Sequence, residues 1–378
     1  MDFSSLANGA IASMLPYRMG KPVELVHEEI GAKNFVRLNS GENPYGISRK
    51  VQKVLERYAD KLPYYPDAGA WHFKRLLSST FNYDVNNITA GADNHELISL
   101  LARAFLNPSV NVIVPRVNSI MIERAVRISG AGIRSTGIND DWEPVLDEIV
   151  EAIDDRTRMI IMANPSNPLG AFVHYSSLEK MLQDVPEDVL VVIDEELIDY
   201  LGGGYKDLYD LIINYPNLVL LRSFSHIYGL AGLRIGYMLS CDEICGIINV
   251  LRDPYNVSQL ALDCACAALT DNVFTRFVLD RTNTERNRYR EFCSFYGLAM
   301  VDNKTNTVTI DFGSRAHSWY NALMRQGIFT RHLEYLGLPS LINITMGHPD
   351  ENDFCLRRIE QLILKDSKLE GASDSSLS

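Results

Sequence analysis

The chain has 378 residues, with 36 Lys+Arg against 48 Asp+Glu, a formal charge of −12 and 46% apolar residues. This is ordinary globular composition, long enough for one large domain and a smaller one. The acidic balance leaves no electrostatic footprint for nucleic acid or anionic membranes, and no apolar run approaches the roughly 18–20 residues of a membrane span.

The opening stretch, MDFSSLANGAIASMLPYRMGK, lacks the basic start and solid apolar run of a signal peptide. A cytoplasmic protein without nucleic-acid or membrane partners is therefore expected. The cysteines at 241, 245, 264, 266, 293 and 355 form no CxxC pair, and the histidines show no HxxxH or HExxH spacing. Reduced, buried thiols and no metal are the expectation.

Along the chain, helical patterns at 95–106, 120–129, 142–153 and 178–183 alternate with apolar, β-branched runs. The helix at 178–183 is expected to be capped by Ser176-Ser177. The runs are NVIVP (111–115), MIIMA (159–163), VLVVID (189–194) and LVLLRS (218–223), as in a sheet buried on both faces. The alternation predicts an α/β large domain over 45–265, after an N-terminal arm or small-domain part at 1–44. From 266 to 366 a long charged helix (277–296), strand-like runs (305–312, 340–346) and a helix near 318–326 predict a small α+β domain. The stretch SKLEGASDSSLS (367–378) reads as a disordered, solvated tail.

Ligands of open α/β sheets sit beyond the carboxyl ends of the strands, so the residues that follow each strand matter most. After 159–163 comes Asn164-Pro165-Ser166-Asn167-Pro168-Leu169-Gly170, which sets an Asn at the sheet edge or is a plain turn. After 189–193 comes Asp194-Glu195-Glu196. A carboxylate at the tip of a buried strand costs several kcal/mol unless it is paired, so Asp194 needs a cationic or hydrogen-bonding partner. After 218–221 the run from Arg222 to Gly236 combines Ser223, Ser225, Arg234 and several glycines, the ingredients of a phosphate cup.

These residues, in this order, resemble the fold-type I pyridoxal-phosphate (PLP) aminotransferases of class I/II, and within them the histidinol-phosphate aminotransferase branch. Asn39-Ser40-Gly41-Glu42-Asn43-Pro44-Tyr45-Gly46 is similar to that branch's NENPYG signature, Tyr65-Pro66-Asp67 to its YPD, and Gly347-His348-Pro349-Asp350-Glu351-Asn352 to its GTPEEN. Gly91-Ala92-Asp93 is similar to its phosphate-binding turn at a helix N-terminus. The resemblance implies a mostly parallel seven-stranded sheet sandwiched by helices, plus a smaller α+β domain. It also implies a cofactor held by Ala92, Asp93, Ser223, Ser225 and Arg234 at the phosphate, by Asn167 at the phenolic oxygen and by Asp194 at the ring nitrogen. Tyr65 would reach the cofactor phosphate of the partner subunit in a homodimer.

The pattern breaks at position 226, where His226 stands in place of the lysine that bonds the cofactor and moves the Cα proton. Leu197, Ser119 and Asn343 stand where the family has a tyrosine, a stacking aromatic and a carboxylate-gripping arginine, and Tyr228, Tyr255 or Tyr64 is a candidate to restore lost contacts. His226 remains suited to acid–base work near neutral pH. In lysine-less relatives, sugar dehydratases among them, the cofactor enters already aminated. The expected protein binds PLP or pyridoxamine phosphate (PMP) non-covalently and acts on a small amino-bearing or phosphorylated substrate through His226. The alternatives are a silent subunit paired with an active homologue, or a PLP-independent enzyme using the phosphate pocket. A simple structural reading has Asp194 and Arg234 satisfy each other or local backbone. His95 is expected to be an ordinary helix-face residue.

Overall fold

The computed structural model describes residues 35–374, with side chains to 367, and before them residues 3, 6, 7, 9–12, 14–16, 25, 28, 29 and 31. Of the expected arm, 1–44, the remaining positions lie outside the described residues. The chain forms two units. One is built on Gly46–Leu279 with Asn303–Thr305, the other on Asp280–Asp302, the chain from Asn306 and the strand β1 (Val36–Arg37). The division falls inside the helix Asn272–Tyr296, later than the 265/266 boundary expected. A continuous helix offers no break in pattern to mark it.

The first unit is organised by a seven-stranded sheet. Its strands are β2 (Ile88–Gly91), β3 (Asn111–Pro115), β4 (Gly132–Thr136), β5 (Thr157–Ala163), β6 (Leu190–Asp194), β7 (Leu218–Ser223) and β8 (Gly236–Leu239). Their order is β2-β8-β7-β6-β5-β3-β4, parallel except for β8, which runs against both of its neighbours. Side chains alternate across the pleat, so Val191 and Ile193 enter one core layer and Leu190 and Val192 the other. Each such side chain contributes about 1.5–3 kcal/mol on leaving water.

The helices Asn94–Phe105, Ile120–Ser129 and Tyr175–Asp184 fall within a few residues of the patterns that predicted them. Two details differ. The third starts right after His174, which makes no side-chain cap, so Ser176 and Ser177 lie inside its first turn. The stretch expected to be helical at 142–153 is helical only over Leu146–Glu151, because Trp142 has a φ of 66° and Pro144 bridges Ile138.

In the second unit β9 (Ala299–Val301), β10 (Thr307–Asp311), β12 (Arg331–His332) and β13 (Leu341–Thr345) form an antiparallel sheet in the order β12-β13-β10-β9, while β11 (Ile328–Phe329) pairs with β1. Its core joins Leu38, Tyr289, Phe312, Trp319, Ile342 and Ile359. The last helix runs Pro349–Asp374, into the stretch expected to be a tail, while 375–378 lie outside the described residues. The six cysteines form no disulfide, and burial raises the pKa of Cys245 to about 11 and of Cys355 to about 12. Among the described residues no helix is long and apolar enough to cross a membrane.

Candidate active site

Strand register places the site. Gly236 pairs with Gly91 on one side and Ser223 on the other, so the turn after β2 and the loop after β7 flank one point. A Cβ at Gly236 would lie 2.8 Å from both the Arg222 carbonyl and Asn94 Oδ1, so only glycine fits between them. On the far side of β7, Asp194 pairs with Leu221 and Ala163 with Asp194. The segments that follow β5, β6 and β7 therefore leave the sheet side by side.

The loop after β7 is tied to itself. Ser223 Oγ accepts the Ser225 N–H (3.1 Å), the Gly229 N–H donates to the His226 carbonyl (2.9 Å), and the Leu230 N–H to the Phe224 carbonyl (3.0 Å). Arg234, at a positive φ of 53°, donates to Ser225 Oγ (3.3 Å) and to the Ala231 carbonyl (3.0 Å), and forms an ion pair with Asp93. Ser223, Ser225, Arg234 and Asp93 thus lie together. The Ala92 N–H, expected to face a phosphate, is taken by Glu96 at 2.5 Å.

Asp194 is 2% exposed. Oδ1 accepts from Asn94 Nδ2 (2.6 Å) and from the Glu196 N–H (3.2 Å), while Oδ2 carries no hydrogen bond among the described residues. Burial, and then the neighbouring Glu196 charge, push its pKa well above the ordinary carboxylate range. Its partner is therefore an amide. Arg234 pairs with Asp93 instead, so the reading in which Asp194 and Arg234 satisfy each other is not what is found.

Glu196 links the segments that follow β5 and β7. Oε1 accepts from Asn167 Nδ2 at 2.6 Å, and Oε2 lies 3.4 Å from His226 Nε2. Both side chains are largely enclosed, 11% and 13% exposed. Burial opposes ionising Glu196, but the hydrogen bond and charge of His226, with the Asn167 amide, outweigh it and lower its pKa. Asn167 is available because Asn164 is the residue that staples the turn, by its bonds to the Val173 carbonyl (2.9 Å) and N–H (2.8 Å). Nearby, Tyr228 donates to Asp199 at 3.3 Å.

The family model for class I and II aminotransferases matches residues 33–359. The chain belongs to that family. Histidinol-phosphate aminotransferase 2 of Haemophilus influenzae is 35% identical over 354 residues, covering 93% of this chain and 96% of that protein. Histidinol-phosphate aminotransferase of Bacillus subtilis is 32% identical over 354 residues, with 93% and 98% covered. The histidinol-phosphate aminotransferase of Sinorhizobium meliloti, solved in complex with pyridoxal-5′-phosphate, matches with a TM-score of 0.89 and 25% identity over 96% of this chain and 98% of that one. The fold is the α/β fold-type I of these aminotransferases.

Within this aminotransferase fold, the departures noted in the sequence have structural uses. Ser119 caps the helix Ile120–Ser129 (3.4 Å to the Met121 N–H), Leu197 is 3% exposed in the core, and Asn343 lies in the second unit, donating to Thr309 Oγ1 at 2.8 Å. Tyr65 is 82% exposed and stacks on Tyr255 with ring centroids 4.8 Å apart. His95 does more than line a helix: Nδ1 is 3.6 Å from Asp93, burial lowers its pKa, and it senses the charges of Glu196 and His226.

Sequence reasoning passed over Asn94, Glu96, Asp199 and, above all, Glu196. The signal for Glu196 was its place in Asp194-Glu195-Glu196, a third consecutive acid at the end of a buried strand. Glu195 turns the other way, onto Arg222 at 2.9 Å.

Proposed function

We propose that this chain binds pyridoxal or pyridoxamine phosphate without a covalent bond, and that His226 serves as general acid and base on a small amino-bearing or phosphorylated substrate. The observation that carries this reading is the His226–Glu196 pair beside Asp194 and the Ser223/Ser225/Arg234 loop.

The donor set fits the cofactor at two points. Two hydroxyls and a guanidinium are suited to a phosphate, and the unbonded Oδ2 of Asp194 is an acceptor suited to a protonated ring nitrogen. At the third point Glu196 occupies the Asn167 amide. When bound, the cofactor supplies an electron sink for charge developing on the substrate. Asp194, raised in pKa while unpaired, meets a cationic partner there that favours its ionised form. His226 would give or take the substrate proton, while Glu196 Oε2, facing Nε2, orients the ring and stabilises its charged form. Conventional transamination is not expected, since an imidazole cannot replace the lysine amine as an exchangeable covalent anchor.

The assembly belongs to the same proposal: a homodimer in which Tyr65 reaches the partner's cofactor phosphate. Its exposure, with Tyr64 at 76% and Leu62 at 69%, suits a surface covered by a partner.

Titrating PLP and PMP separately into the purified chain tests the reading. Saturable binding, with turnover lost in His226→Ala, is the expected result; no binding, or turnover unchanged in the variant, overturns it. One observation favours a second reading. The chain's own acids meet Asn167 and Arg234, as in a site that has given up its cofactor to become a silent partner subunit or a receptor for another phosphorylated ligand. Binding of neither vitamer would favour it.

A further inference from the structure

The second unit holds a donor cluster that the aminotransferase reading does not use. His317 lies in the first turn of the helix Ala316–Arg325, His332 ends β12, and Glu334 follows in the 3-10 turn Leu333–Leu336. One ligand atom from each lies within 4.8 Å of the others. His317 Nδ1 is 3.6 Å and His332 Nδ1 3.5 Å from the same oxygen, Glu334 Oε2.

His332 is the fixed member. Its side chain is 8% exposed, its strand pairs with β13 opposite Ile342, and its ring stacks on Tyr320 with centroids 5.6 Å apart. Nε2 lies 2.8 Å from the Pro339 carbonyl. A carbonyl only accepts, so Nε2 carries the proton and, in the neutral ring, Nδ1 presents its lone pair. That lone pair faces a carboxylate oxygen. A cation between the two, either a metal ion or a second ring proton, joins them.

Locking one ring nitrogen to a backbone carbonyl is the arrangement that orients metal-bound imidazoles. Bonds of about 2.0–2.1 Å at a tetrahedral angle put donors about 3.4 Å apart, close to the two distances on Glu334. His317 and Glu334 are 69% and 63% exposed, so both are free to close on an ion and the fourth position faces water.

We propose that His317, His332 and Glu334 bind one divalent cation of the zinc class, in a site separate from the His226 centre. The cluster escapes a reading by spacing because His317 comes from a different element than the close pair His332 and Glu334.

The test is calorimetric titration of zinc into chelator-stripped full-length protein, wild type and the exposed-ligand variants His317→Ala and Glu334→Gln. One equivalent bound by the wild type, with affinity falling about tenfold or more in each variant, supports the site. A visible absorption spectrum of tetrahedral type on cobalt addition, lost in both variants, supports it independently of affinity. No saturable uptake, or uptake unchanged in both variants as binding at a thiol or at His226 would give, overturns it.

Discussion

Asn167 donates its amide to Glu196 at 2.6 Å, and the same carboxylate faces His226 at 3.4 Å. The donor implied for a cofactor's phenolic oxygen is thus already met, while His226, proposed to stand in for the lysine, gains an acid. Glu196→Ala frees Asn167 and strips His226 of that acid. The variant should bind PLP about tenfold more tightly, the value of one charge-assisted hydrogen bond, while turnover falls by tenfold or more. Unchanged affinity and turnover would show that Glu196 is a bystander.

Asp194 yields a stability prediction. Its native pKa is raised, by burial first and by Glu196 second, so above the ordinary carboxylate value the native state holds a proton that the unfolded chain has released. Stability from this residue therefore falls as pH rises from the ordinary Asp value toward the raised one. Glu196, whose pKa is lowered, acts in the opposite sense, its contribution being lost as pH falls below the ordinary Glu range. Asp194→Asn keeps the acceptor for Asn94 and removes the buried charge. The ligand-free variant should be about 1–3 kcal/mol more stable near neutrality, with a flatter dependence of Tm on pH. A variant less stable than wild type across the range would contradict this.

A second acid on the same strand end behaves differently. Glu195 is fully buried and paired with Arg222, which also reaches Asp207 at 2.6 Å and Tyr83. Burial raises Glu195 to about 7 although Arg222 pulls it down. Arg222→Met should cost about 3–5 kcal/mol, because it leaves a buried carboxylate unpaired. Chemical denaturation measures this, and adding Glu195→Gln to the same chain should recover part of the loss. A single variant within 1 kcal/mol or so of wild type would rule out a structural role for the pair.

The strands and helices of the first unit were legible because burial on both faces leaves continuous apolar runs, as at 111–115 and 218–223, and because helices repeat their apolar face. The convergence of Ser223, Ser225, Arg234 and Asp93 was legible as motif order. Glu196 and Asn94 were not, since what singles them out is tertiary placement: the adjacent ends of β5 and β6 bring Glu196 to Asn167, and the helix that follows β2 brings Asn94 to Asp194 although β8 and β7 lie between their strands. The 142–153 helix was overread because its apolar spacing continues through Trp142 and Pro144, where the backbone turns. The His317–His332–Glu334 cluster depends on tertiary proximity alone.

The central claim is that a phosphate cup and a ring-nitrogen acid work here without a covalent lysine. Borohydride reduction of the full-length chain at saturating PLP, followed by intact mass measurement, tests it most directly once binding has been recorded by titration. The account predicts saturable binding and an unchanged protein mass. A mass increase mapped to any lysine, or no binding of either PLP or PMP, would contradict it.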